Sequence, residues 1–340
     1  RLLNGTALRS SKPPGRPRTY ESEALLPALT AIWKKSNLIC GKRLARILPI
    51  WVPHYRDTHG RALPDSVQQQ LCRISPAMID RLLAPSRAHE QKLGFATTKP
   101  GSLLRKQIPI RTNQWDETRP GFLEADTVAH CGSSMQGQFV YTVSVVDIAT
   151  GWIAHRAVRG RGETGVRKAL VEIEAELPFR IRGFDSDNGG EFLNHHLLKH
   201  YLHRKTPVTF TRSRPYNKND NAHIEEKNWT KVRQYLGYAR FDRPELVEML
   251  NDLYRNEWRL FHNFFLPVFK LIDKQRVGGR IVKVHDPPKT PCQRLLEHPD
   301  VPRATKKKLK ALQDTLDPFV LQASIKKKIQ AILRFASGGP

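Results

Sequence analysis

Apolar positions first recur at three- and four-residue steps: Leu25, Leu26, Leu29, Ile32 and Trp33, then Leu44, Ile47 and Leu48. That period predicts short amphipathic helices over residues 21–85. Within residues 74–83, Ser75 can cap, Pro76 suits the first helical position, and Met78, Ile79, Leu82 and Leu83 form one stripe with Arg81 outside it. This fits the last helix of a helix-turn-helix, so 21–85 reads as a DNA-binding region with Arg81 as a contact. Residues 1–20 are Pro-rich and basic, a linker or arm. Arg16 and Arg18, in Gly15-Arg16-Pro17-Arg18, suit a narrow minor groove, and a flexible basic tether is the competing reading. Residues 86–118 are polar and basic, a connector into a second domain.

From residue 120 the period changes to two. The segments FLEADTVAH, GQFVYTVSVVDIATG and WIAHRAVRG predict three strands in an antiparallel meander. A helix follows, with Val166, Ala169, Leu170, Ile173 and Leu177 on one face and Pro178 as its stop. The segment FRIRGFDSDNGG is a fourth strand, EFLNHHLLKHYLHRK a helix and VTFTRS a fifth strand. The order is β-β-β-α-β-α-β-α. Residues 240–270 are helical and aromatic (Tyr254, Trp258, Phe261, Phe264, Phe265, Phe269), and 246–340 form a mostly helical, basic C-terminal region.

Charge adds the class of partner. With 57 Lys+Arg against 32 Asp+Glu the 340-residue chain carries +25, and clustered cations that displace counterions mark nucleic-acid binding. The runs Lys306 to Lys308 with Lys310, and Lys326 to Lys328, suit backbone contacts or subunit assembly. No apolar run is long enough to span a membrane and no secretion signal opens the chain, so a cytoplasmic, bacterial, nucleoid-associated protein is expected. The start at Arg1 suggests that the true N-terminus lies upstream. Cys40, Cys72, Cys131 and Cys292 are far apart and read as buried thiols.

Three acids are poorly explained by packing. Asp126 interrupts an apolar strand, Asp187 ends another, and Glu225 shares a helix face with Trp229, Val232 and Leu236. Carboxylates turned toward a core cost several kcal/mol unless paired or bound to a cation. Oxygen donors suit a hard divalent ion. Neighbouring acids remain open as alternatives: Glu124, Asp185 and Glu226. His130 and His223 read as surface residues. His195, His196, His200 and His203 have the spacing of a solvated amphipathic helix rather than a zinc site.

Residues 120–235 resemble the retroviral-integrase-like transposases, the DDE enzymes. The residues that carry the likeness are Asp126-Thr127, the run Ser186-Asp187-Asn188-Gly189-Gly190-Glu191-Phe192, and Pro215-Tyr216-Asn217 followed by Glu225 and Asn228. NDNAHIEEKN, CGKRLARILP and ISPAMIDRLL look most like bacterial insertion-sequence transposases. No His-His-Cys-Cys zinc unit precedes the core. The resemblance implies an α/β, RNase H-like core over 119–245, a five-stranded mixed sheet with helices, behind an all-α helix-turn-helix-type region. It implies a DNA transposase or integrase in which Asp126, Asp187 and Glu225 are catalytic and hold two Mg²⁺, with Mn²⁺ as substitute. Double-stranded DNA (element ends and target) and a homo-oligomer on DNA are the implied partners, with no membrane. Lys227 and Lys231 flank Glu225 and are expected on DNA phosphates. An RNase H-like structure-selective nuclease and a domesticated DNA-binding protein without activity are the other readings.

Overall fold

The computed structural model describes residues 20–93, 117–186, 204, 208–212, 228–278 and 280–338. The helical period at the N-terminus becomes α1 (Ser22–Lys35), α2 (Gly41–Trp51), α3 (Asp65–Arg73) and α4 (Pro76–Leu93). Leu25, Leu29, Ile32, Trp33, Leu44, Ile47 and Leu48 are buried as the stripe requires, while Leu26 faces solvent. The Ser75 hydroxyl accepts the Met78 N–H at 3.2 Å, and Arg81 lies on the exposed side. α4 runs on past Pro85 to Leu93. The proline removes one ladder donor without ending the helix, because Ile79 and Leu83 anchor that face in the core.

The strand period becomes a mixed sheet of order β3-β2-β1-β4-β5, with β1 (Phe122–Ala129), β2 (Val140–Asp147), β3 (Ile153–Arg159), β4 (Gly183–Ser186) and β5 (Thr209–Arg212). β1, β2 and β3 pair antiparallel; β4 lies parallel to both β1 and β5. Two-residue alternation divides the side chains between two cores. One face sends Leu123, Ala125, Val143, Val145 and Phe184 against α5 (Glu163–Glu176), through Val166, Ala169, Leu170 and Ile173. The other face meets the C-terminal helices.

After β5 a π-helical segment, Asn228–Arg233, runs into α6 (Gln234–Leu236). Then α7 (Glu245–Leu253), a π turn (Tyr254–Trp258) and α8 (Arg259–Phe265) form one long rod. Its Tyr254, Trp258, Phe261, Phe264 and Phe265 are almost fully buried, and Phe269, beyond its end, is exposed. Strand β3 is an edge of the sheet, and the rod closes it with two amides. Asn251 bonds both the N–H and the C=O of Ala157, and Asn263 does the same for Ile153, at 2.8 to 3.0 Å. Four of the backbone groups that would otherwise template another strand are thereby satisfied.

The C-terminal region departs from a mostly helical reading by a hairpin, β6 (Leu271–Val277) with β7 (Arg280–His285). α9 (Pro291–Glu297), α10 (Arg303–Asp314) and α11 (Pro318–Ala336) follow. The hydrophobic cluster of α1 to α4 is continuous with that of α7 to α11. Trp51 is the join: its indole N–H donates to the Phe265 carbonyl at 3.2 Å, and its ring meets Phe261, Phe265 and Phe319 edge-on. Of the cysteines only Cys292 is buried; Cys40 and Cys72 are exposed and Cys131 is half-buried. Cys40 caps α2 and Cys72 lies on the outer side of α3, so helix phase, not residue type, placed them. Among the described residues, no helix is long and apolar enough to cross a membrane.

A tight spot fixes β4 to β1. Gly183 lies opposite Phe122, and a Cβ at Gly183 would sit 2.1 Å from the Phe122 ring. Gly183→Ala is therefore expected to lower stability by about 1–3 kcal/mol, read as a lower urea midpoint with unchanged slope.

Candidate active site

The sheet face that meets the C-terminal helices carries polar side chains at positions where the alternation turns inward. On β1 these are Glu124 and Asp126; across β2 and β3 they continue as Ser144, opposite Asp126, and His155, opposite Ser144. Parallel β4 sets Asp185 opposite Glu124. Glu124 and Asp185 are 1% and 0% exposed, whereas Asp126 is half-buried. Three carboxylates thus share one face of two adjacent central strands. The described register of β1 with β4 ends at Ala125↔Ser186, one step before Asp126 in one strand and Asp187 in the sequence of the other.

Asp126 is held from two sides. Its Oδ1 accepts the Thr127 backbone N–H at 2.7 Å, and its Oδ2 accepts the Asn228 side-chain amide at 2.6 Å. Asn228 is the first residue of the π-helical segment, and such wide turns accommodate an extra residue and occur often at functional sites. The hydrogen bond joins strand β1 to an element 102 residues later in the chain.

Behind the acids the interface is buried and basic in kind, yet mostly uncharged. The His130 ring exchanges a hydrogen bond with the Thr142 hydroxyl at 2.8 Å and stacks on Phe241; Thr142 also meets the Tyr254 hydroxyl at 2.9 Å. Burial pushes His130 and His155 down to about 3, helped by the positive Arg233 beside the first and by Lys231 and Arg156 beside the second. His262 is held well below its ordinary value by the same burial and by Lys231. The imidazoles are therefore neutral, and Lys231, Arg156 and Arg233 are positive groups beside them.

These positions revise one reading. His130 is fully buried rather than a surface residue, because the inward register of the chain beyond β1 packs it on Phe241. Lys231 is 6% exposed and acts electrostatically on His155 and His262. Arg81 is exposed on α4. Asp187, Glu225, Lys227, Arg16 and Arg18 lie outside the described residues, as do Glu226, His223 and His195, His196, His200 and His203. Among the described residues, no three His, Cys, Asp or Glu side chains are grouped to hold a metal ion. Sequence reasoning missed the polar line of Thr142, Ser144 and His155. Its signal was available: three polar residues at inward positions of otherwise apolar strands.

Compared with known proteins, the chain is 38% identical over 269 residues to the uncharacterized protein y4rM of Sinorhizobium fredii, covering 78% of this chain and 76% of that one. No family model matches. Among solved structures it is similar, weakly, to the HTLV-2 integrase catalytic core domain in complex with magnesium. That likeness has 12% identity, a TM-score of 0.31, and covers 44% of this chain and 89% of that chain.

Proposed function

The chain belongs to the family of protein y4rM of Sinorhizobium fredii, and for it we propose metal-dependent DNA strand transfer, the activity of a DDE transposase or integrase with an RNase H-like core. The observation that supports this most is the hydrogen bond from Asn228 to Asp126. It links a carboxylate on the central strand to the segment that begins three residues after Glu225 in the sequence, and the described β1–β4 register ends one residue before Asp126. The DDE motif reading names Asp126, Asp187 and Glu225. Helices of residues 21–85 would bind DNA, with the core over 119–245.

The donor set fits a hard cation. Asp126 offers oxygen, its half-buried position leaves an approach from solvent, and Glu124 and Asp185 add carboxyl oxygens on the same sheet face. Asp126, Asp187 and Glu225 would hold the ions, which when bound lower the pKa of water and neutralise charge on a phosphodiester. The protein's own part is positional. Asn228 and the Thr127 amide fix both oxygens of Asp126, so the carboxylate needs no reorganisation as charge develops. In the first step water attacks phosphorus and the P–O3′ bond breaks, leaving a 3′-hydroxyl on the element end. In the second, that hydroxyl attacks a target phosphodiester in line and displaces another 3′-oxygen. No protein nucleophile is required, and joining two ends calls for more than one copy of the chain on DNA.

The test is incubation of candidate element-end DNA with the protein and Mg²⁺ or Mn²⁺, against chelator and against Asp187→Asn. Metal-dependent nicking by the wild type alone, with joined products from pre-cleaved ends, is expected. Nicking without joined products would favour a structure-selective nuclease, and binding without nicking a DNA-binding protein; equal cutting by both proteins would reject the site. Removing the brace should have a smaller effect than removing an acid. Asn228→Ala is expected to lower the cleavage rate roughly 10–100-fold, with part of the loss recovered at high Mn²⁺ in a metal titration.

A further inference from the structure

A second feature lies at the other end of the parallel strands. Residues 119 and 180–182 precede β1 and β4, whereas Asp126 and Ser186 lie toward their C-terminal ends. Four residues of strand, roughly 13 Å, separate the two levels. There a cleft of about 1040 Å³ is bounded by the loop after α5 and the start of α10, and four arginines line it: Arg119, Arg180, Arg182 and Arg204. Arg204 is engaged by Glu174 through two hydrogen bonds at 2.5 and 2.6 Å, and Arg119 by Asp300. Arg180 and Arg182 are exposed, and among the described residues neither has a carboxylate within ion-pair reach. The cleft therefore holds two surplus guanidinium groups beside two whose planes are fixed by their acids.

The wall opposite the arginines adds donors. Thr305, in the first turn of α10, lines the cleft, and that helix start has no side-chain cap and no acid in its first turn. Its first backbone N–H groups point out of the helix end with a partial positive charge. Lys308 is exposed one turn after Thr305, on the same side of the helix. Guanidinium forks, backbone amides and a hydroxyl are the groups that bind phosphate oxygens. They come from four separate segments of chain and so match an extended anion better than a single small one.

We infer that this cleft binds the sugar-phosphate backbone of duplex DNA away from the strand being cut. The inference rests on the proposed strand-transfer reading for its choice of polyanion, and the chain's charge of +25 favours the same partner. DNA held here is positioned, not cleaved: among the described residues, no acid of the β1–β4 face lines the cleft.

The test is binding of the full chain to a fluorescent duplex of arbitrary sequence, by anisotropy, at several salt concentrations without divalent metal. The double variant R180Q/R182Q is compared with wild type and with R276Q/K283Q, which removes the same charge from the exposed β6–β7 hairpin. Losing two phosphate contacts lowers the salt slope by about 1.8; the cleft variant should show that and a loss of affinity of about tenfold or more, with the hairpin variant closer to wild type. Arg182→Gln and Lys308→Gln alone should each lower the slope by about half as much, which covers a double variant that folds poorly. Equal losses in the two double variants, or no loss in the cleft variant, would overturn the inference. A wild type that cuts DNA but binds it independently of these arginines overturns the cleft and leaves strand transfer standing. Cleft-dependent binding with no metal-dependent cutting does the reverse.

Discussion

Asp126→Asn is expected to abolish cleavage and strand transfer, with a loss of more than about 100-fold, beyond the 10–100-fold typical of removing a mere support of a metal ligand. The substitution keeps the volume of the side chain and replaces one oxygen by an amide. An amide at this position presents one acceptor in place of two, so either the Thr127 N–H or the Asn228 amide is left facing a donor. The local cost to stability is about 1–2 kcal/mol, small enough for the sheet to fold. The measurement is a single-turnover cleavage assay with saturating DNA, accompanied by a urea melt and the anisotropy binding curve. Retained folding and DNA binding with lost cutting is the expected pattern. Cutting at a third of the wild-type rate or better would remove Asp126 from the chemistry and return the question to its neighbours Glu124 and Asp185.

Acidification is expected to unfold the protein well before its carboxylates titrate as a group. His130 and His155 are held near 3, and His262 is also well below the ordinary value near 6.5. A histidine with a lowered native pKa binds its proton more readily when unfolded, so the stability it contributes is complete above about 6.5 and falls as pH falls toward 3. Each such residue costs about 1.4 kcal/mol per pH unit in that window, and three act together. Asp147 works the other way: burial raises it to about 6, so its contribution is present below about 4 and lost as pH rises through 6. It offsets one histidine at most. The thermal midpoint should therefore fall steeply between pH 6.5 and 5. His155→Phe should flatten that fall, since a ring between Tyr254 and Trp258 needs no proton. A midpoint unchanged down to pH 5 would mean that these rings are solvated or already charged.

Much of the site's neighbourhood was legible in the chain because strand and helix periods are local. Strand β1 around Asp126, the meander into β3 and the stripe of α5 each follow from spacing, and so do the buried rings of the Tyr254 to Phe265 rod. The hairpin β6–β7 was also written there, as Gly278-Gly279 between two runs of β-formers. It was hidden by the lysine-rich composition around it. His130 was misread for a different cause. Exposure depends on the partner that covers a face, and Phe241 arrives from a distant part of the sequence.

The sequence by itself determined the order of the five strands of the mixed sheet and the surplus of positive charge, and it offered Asp126, Asp187 and Glu225 as candidate acids, because these depend on residue type and short spacing. Only the tertiary structure decided that Asn228 braces Asp126, that Lys231 lies among neutral histidines, that Asn251 and Asn263 close the sheet edge, and that four arginines meet in one cleft. Those are pairings between residues distant in the chain, and each exists only once packing has brought two separate elements to within hydrogen-bonding reach.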